Sequence, residues 1–252
     1  MTFSVPAEAY DRYMGRYSVL LAPSFADFAG IAAGQRVLDV GCGPGALTGE
    51  LVRRLGVERV AAVDPSESFV GAIEVRYPGV LVERAAAERI PFADDGFDAA
   101  VAQLVVHFMP EPVSGLQEMG RVTRPGGVVA ACVWDHAGGE TPIGAFWAAA
   151  RELDPSAIGE AHLPGARPGH LVELLRAAGL REVEETVLAV SLEHESFEDW
   201  WEPLTLGVGP AGAYTASLEP NRRAALRERC RELIAASPLI VAARAWAARG
   251  LA

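Results

Sequence analysis

A doubly wound α/β sheet is the fold class this chain predicts, on three observations. The first is a short apolar run, Val37-Leu38-Asp39-Val40, that ends in three glycines at alternate positions, Gly41, Gly43 and Gly45. The second is a strand-helix-strand rhythm repeating about every 20 to 30 residues, as parallel strands require because each crossover needs a helix. The third is another apolar run, Val60-Ala61-Ala62-Val63, that stops at an acid, Asp64. In such sheets ligands sit outside the carboxyl ends of the strands.

Ahead of the first strand, residues 7–30 carry Tyr10, Tyr13, Met14, Tyr17, Leu20, Leu21, Phe25 and Phe28 at helical spacing, interrupted at Gly15 and Pro23. That pattern predicts two short helices. The first strand, 36–40, runs into the glycine loop, where residues without Cβ let the chain turn sharply and bring bare N–H groups against a ligand. A helix from Ala46 to Leu55 then aims its N-terminal N–H groups at the same place. Taken alone the loop is unspecific, since Gly41-x-Gly43-x-x-Ala46 also satisfies the dinucleotide fingerprint. Asp64 has two readings: an ionised carboxylate offers only acceptors and suits a pair of ribose hydroxyls, or it caps the helix at 66–75.

Further strands are expected at 80–83, 97–103 and 128–134, with a helix at 111–123 and turns at Ala93-Asp94-Asp95-Gly96 and Arg124-Pro125-Gly126-Gly127. Beyond Trp134 the rhythm changes. A Gly/Pro-rich loop (137–144), a helix near 144–152, a loop over 155–168 and a helix at 169–178 lead to an alternating strand, 183–192. An amphipathic helical stretch from Ser196 to Ala236 precedes a last strand-like run, 239–246, and is a candidate lid.

Bulk properties narrow the function. The 252 residues, half of them apolar, suit one domain with a lid. A formal net charge of −11 disfavours a nucleic-acid partner, which needs concentrated positive charge. All 22 basic residues are arginine, so Schiff-base chemistry and a P-loop lysine are excluded. Three scattered cysteines (Cys42, Cys132, Cys230) suit neither a disulfide framework nor a zinc site. Met1-Thr2-Phe3-Ser4-Val5-Pro6 lacks the marks of an export signal, and no apolar run is long enough to span a membrane. A soluble cytoplasmic protein, monomer or homodimer, is expected, with a small-molecule substrate and no membrane partner.

From about Tyr10 to Trp134 the chain resembles the class I S-adenosylmethionine-dependent methyltransferases, in particular the small-molecule group related to the quinone-biosynthesis methyltransferases. Four marks in order carry the resemblance: residues 37–45, Val63-Asp64-Pro65-Ser66, Ala87-Glu88-Arg89-Ile90-Pro91-Phe92 with Gly96-Phe97-Asp98, and Arg121-Val122-Thr123-Arg124-Pro125-Gly126-Gly127. It implies a seven-stranded, mostly parallel sheet whose last two strands form an antiparallel hairpin, with residues 193–238 inserted in it. Residues 1–30 would cover the cofactor site, 31–135 would bind the cofactor, and 136–252 would complete the sheet. The cofactor would be S-adenosyl-L-methionine, held by Asp39, Gly41, Cys42, Gly43, Asp64, Pro65, Ala87, Glu88 and Gln103. Arg16, in a Gly-Arg-aromatic element, would pair with its carboxylate. Ala86 departs from the pattern, standing where the family often has an acid for the adenine amino group.

Methyl transfer is an in-line displacement at an activated carbon, so alignment and exclusion of water are the main tasks. His107, after the fourth strand, is the candidate general base, with a packed core histidine as the structural alternative. Tyr13, Trp134, His136 and Trp201 are the residues expected at the substrate. No histidine pair has i, i+4 spacing, so no metal is assigned. Two rival functions remain: a non-catalytic cofactor-binding partner protein and a nicotinamide-dependent oxidoreductase. Against the latter, Pro44 puts a ring where a diphosphate needs close backbone approach.

Overall fold

The computed structural model describes residues 6–235 and 237–252. Residues 1–5, on which the expectation of no export signal largely rests, and Ala236 lie outside this range. Seven strands form one sheet in the order β3-β2-β1-β4-β5-β7-β6. They are β1 (Val37–Val40), β2 (Val60–Asp64), β3 (Leu81–Arg84), β4 (Phe97–Gln103), β5 (Thr123–Trp134), β6 (Arg181–His194) and β7 (Leu239–Leu251). The first five are parallel, while β7 lies antiparallel between β5 and β6.

Side chains on successive strand residues point to opposite faces, so each central strand feeds two cores. Val37, Ala62, Val101 and Cys132 face one core together with Leu21 and Phe25 of α2 (Arg16–Phe28) and Leu51 of α3 (Ala46–Leu55). Leu38, Val63, Ala102 and Val133 face the other, with Met119 of α5 (Pro112–Val122) and Leu175 of α7 (His170–Ala177). The edge strands β3 and β6 carry Glu83, Arg84, Glu184 and Glu193, charges that discourage edge-to-edge pairing.

The N-terminal segment differs from expectation. α1 (Ala7–Tyr10), a wide turn at Asp11–Gly15 and α2 follow one another without a break, and Pro23 lies inside α2. Gly15 keeps helical dihedrals (φ −56°, ψ −38°), and the apolar face formed by Tyr17, Leu21 and Phe25 is buried. Packing of that face overrides the two local breakers, as burial commonly does with weak propensities.

The stretch between β6 and β7 is helical: α8 (Phe197–Trp201), a short turn at Glu202–Thr205, α9 (Gly209–Ser217) and α10 (Pro220–Leu233). The strands on either side of it pair from His194↔Leu239 onward. No helix among the described residues is long and apolar enough to cross a membrane.

Candidate active site

The turn after β1 fixes the site. Gly41 and Cys42 both donate backbone N–H groups to the Val63 carbonyl, at 2.8 and 3.1 Å, which draws the loop across the end of β2. Gly41 has φ +70°, and a Cβ there would stand 2.5 Å from Val105 Cγ1. Gly43 has φ +54°, and a Cβ there would meet nothing within 4 Å. The first glycine is required by packing, the second by a conformation that leaves space open.

That space is a cavity of about 310 Å³ at the carboxyl ends of β1, β2 and β4. Asp39, Gly41, Cys42, Gly43, Asp64, Pro65, Ala87, Glu88 and Gln103 all line it. Asp64 is buried and braces the floor: Oδ2 accepts from Gly43 N at 2.9 Å and Oδ1 from Ser66 N at 2.8 Å. Its bond to Ser66 closes a turn two residues on, and Ser66 itself is the helix-capping position of α4 (Glu67–Arg76). Burial raises the Asp64 pKa, and the bonds from Ser66 and Gly43 partly offset the rise. Asp39, more deeply buried, is pushed up to about 7 by burial, with an opposing contribution from the Thr48 hydroxyl 2.7 Å away and a further rise from Asp64.

Gln103 donates Nε2–H to the Ser18 carbonyl at 3.0 Å, which leaves its Oε1 buried without a partner. Leu104, next along, has φ +62°. A left-handed leucine costs about 1–2 kcal/mol, and such strain collects where a backbone is held for a purpose. It turns the chain out of β4 between two cavities, since Tyr10, Leu104 and Phe108 line both the large one and a smaller one of about 30 Å³.

The match to known proteins follows this geometry. Residues 38–131 match the family model described as a methyltransferase domain. An uncharacterized methyltransferase of Mycobacterium tuberculosis, Rv3342, is 35% identical over 127 residues, 50% of this chain and 49% of that one. The chain thus spans about half the length of the first curated relatives it matches. A second M. tuberculosis protein, Rv1405c, described as uncharacterized, is 30% identical over 197 residues, 73% of this chain and 70% of its own. A demethylmenaquinone methyltransferase of Beutenbergia cavernae is 39% identical over 101 residues, covering 40% and 41% of the two chains. Among solved structures, YcgJ of Bacillus subtilis superposes with a TM-score of 0.58 at 17% identity, over 94% of this chain and 98% of that one, which speaks to the fold. Residues 38–131 are a methyltransferase domain, on the fold of the class I S-adenosylmethionine-dependent methyltransferases.

Two of the residues named from sequence lie outside this cavity. Arg16 is outside the cavity: its Nη1 binds both carboxylate oxygens of Asp199, at 2.8 and 2.9 Å. Asp199 also accepts from or pairs with His194 Nδ1 at 3.1 Å, and His194 Nε2 meets the Tyr17 hydroxyl at 2.6 Å. This chain of polar contacts ties α2 to α8, so the arginine is committed to holding the inserted helices. Trp201 is buried between Phe146 and Phe197, with ring centroids at 6.4 and 6.1 Å, and lines neither cavity. Aromatic packing claims it, in the same apolar cluster that holds Leu21, Phe25 and Phe146.

Tyr13, His107, Trp134 and His136 all line the smaller cavity. His107 is therefore one wall removed from the glycine loop, with its ring 3.9 Å from that of Phe108. Burial pushes its imidazole well below the usual value, and His136 beside it pushes the same way. His136 is lowered to about 4 by burial, against the pull of Asp135. Both rings are neutral at neutral pH.

Glu160 shares this cavity and was not visible in sequence, because it comes from a loop with no periodic pattern. One of its oxygens accepts from the Trp147 indole N–H at 2.8 Å, and burial raises its pKa to about 7 against that bond.

Proposed function

We propose that the large cavity binds S-adenosyl-L-methionine and that its methyl group passes to a small molecule held in the smaller cavity. The observation that carries this is the charge of the wall. Asp39, Asp64 and Glu88 line it, and among the described residues no arginine or histidine does. A dinucleotide would bring its diphosphate against these acids, which costs heavily where water is scarce. A ligand with sulfonium and ammonium charges and two ribose hydroxyls suits them.

The residues fit that ligand by their chemistry. Asp64 keeps unused lone pairs beyond its bonds to Gly43 and Ser66, enough for ribose hydroxyls. The unpartnered Gln103 Oε1 can accept from an ammonium group. Asp39, close below, supplies negative charge once deprotonated. Ser18 and Tyr10 are neutral polar groups on the same wall, and Arg16 is not among its residues. The adenine side has Ala86, Ala87 and Glu88 along one edge and Phe69 as an apolar surface.

The bound cofactor supplies an activated methyl group. The chain's contribution is to align it, to exclude water with Leu104, Phe108 and Met109, and to present the acceptor beyond the Leu104 turn. His107, His136 and Glu160, with the phenols of Tyr10 and Tyr13, are the titratable groups that line that cavity. The net charge of −11 disfavours nucleic acid as the acceptor.

Calorimetry with S-adenosylhomocysteine and with NAD tests the cofactor assignment directly. Binding of the first and not the second is expected, and Asp64→Asn should weaken it about 10- to 100-fold, the loss of charge-assisted bonds worth roughly 1.5–3 kcal/mol. Heat with NAD, or an unaltered affinity in the variant, overturns the assignment. Cofactor turnover with phenol, amine and quinol-like acceptors then separates an enzyme from a binding protein.

A further inference from the structure

The smaller cavity holds a second chemistry. His107 follows β4, His136 follows β5 and Glu160 lies in the loop after α6 (Gly144–Leu153), so three separate stretches of chain converge there. One nitrogen or oxygen from each lies within 4.8 Å of the other two. His107 Nδ1 and His136 Nε2 are buried without a hydrogen-bond partner among the described residues. The side chains are deeply enclosed, with 6, 9 and 5% of the respective residues exposed.

Buried polar atoms are normally satisfied, and two bare imidazole nitrogens in one cavity call for a common partner. Among the described residues no protein donor reaches either nitrogen, and the Trp134 indole N–H points at Met14 Sδ instead, 3.2 Å away. Nor does the histidine pair serve itself, for its ring centroids are 5.7 Å apart and tilted by 53°. We propose that His107, His136 and Glu160 form a binding site for one divalent transition-metal cation of the zinc class.

The donor set selects the cation. Two neutral imidazoles and one carboxylate suit zinc, cobalt, nickel or ferrous ions, whereas magnesium and calcium prefer oxygen shells. The Trp147 N–H on Glu160 orients the carboxylate in the way that second-layer hydrogen bonds hold metal ligands. Separations of up to 4.8 Å exceed those around a bound ion, so binding draws the three groups inward. Three protein ligands leave a coordination position open, and the cavity adjoins the larger one at Leu104 and Phe108. Given the methyl-transfer function proposed above, an acceptor oxygen would complete the shell. A nitrogen engaged in this way is no longer a general base, which gives His107 the role of ligand.

Cation uptake tests the site without cofactor or acceptor, so its outcome is separate from that of the methyl-transfer proposal. The whole chain, freed of metal with a chelator, is titrated with cobalt(II) in visible absorption and with zinc(II) by calorimetry. One equivalent, a cobalt spectrum characteristic of low coordination number, and a rise in melting temperature with zinc are expected. His136→Ala and Glu160→Gln should each weaken binding about tenfold or more, while His170→Ala, outside the cavity, should not. Circular dichroism of each variant establishes that it is folded, and Glu160→Gln, nearly isosteric, covers the case in which His136→Ala is not. Absence of uptake in the wild-type chain, or equal uptake in wild type and a folded ligand variant, overturns the proposal.

Discussion

Substituting alanine at two glycines of one loop should give opposite phenotypes. At Gly41 the new methyl group would stand 2.5 and 2.6 Å from the two γ-carbons of Val105, in a backbone with φ +70°. The left-handed conformation costs an L-residue about 1–2 kcal/mol, and forcing apart a packed contact costs roughly 1–3 kcal/mol more. Gly41→Ala should therefore lose about 2–5 kcal/mol, a fall of roughly 5–15 °C in melting temperature for a chain of this size. Val105→Ala removes both γ-carbons and should recover the steric part in the double variant, leaving the backbone part. At Gly43, φ +54° with open space beyond, alanine should cost only about 1–2 kcal/mol in stability and should weaken S-adenosylhomocysteine binding, since its methyl group points where nothing else stands. Thermal and urea unfolding measure the first quantity and calorimetry the second. Wild-type stability in Gly41→Ala, or no rescue by Val105→Ala, refutes the reasoning from packing.

Two further predictions concern buried charge. Asp199→Ala should destabilise the chain by about 1–2 kcal/mol in urea, less than a fully buried pair because both Arg16 and Asp199 side chains are 30% exposed. It should be non-additive with Arg16→Ala and leave S-adenosylhomocysteine affinity unchanged, whereas weakened affinity in Arg16→Ala would return the arginine to the cofactor. The second concerns Asp39, whose folded pKa of about 7 lies above its unfolded value, so its stabilising share is complete below about pH 4 and lost as pH rises to 7. Asp39→Asn should accordingly gain on the wild type between those limits, by at most on the order of 4 kcal/mol, and a difference independent of pH would remove the claim.

Legibility in the sequence followed the range of the interactions. The strand at Phe97–Gln103 and the helix at Ala46–Leu55 have the bounds expected of them, because alternation and helical spacing are local signals. The glycine loop and Asp64 were readable for the same reason, being one continuous turn and the tip of the next strand. Arg16 and Trp201 were misplaced because their partners, Asp199 and Phe146, lie 183 and 55 positions away in the numbering. Glu160 carried no signal, since a loop acid acquires meaning only from the histidines brought beside it. Pro23 and Gly15 read as breaks where burial of one face keeps the helix whole.

The three C-terminal helices α8, α9 and α10 leave the sheet at His194 and return at its paired neighbour, Leu239. A stretch whose two ends meet in this way behaves like an oversized hairpin turn, and doubling a loop's length adds only about 0.6 kcal/mol of closure entropy. Its exposed turns can be lengthened while the parallel strands keep their register, with Phe197, Trp200 and Leu226 fixed by the core. The smaller cavity, which takes Val208, Gly209 and Pro210 of its wall from this stretch, is thus freer to vary than the glycine-loop cavity beside it.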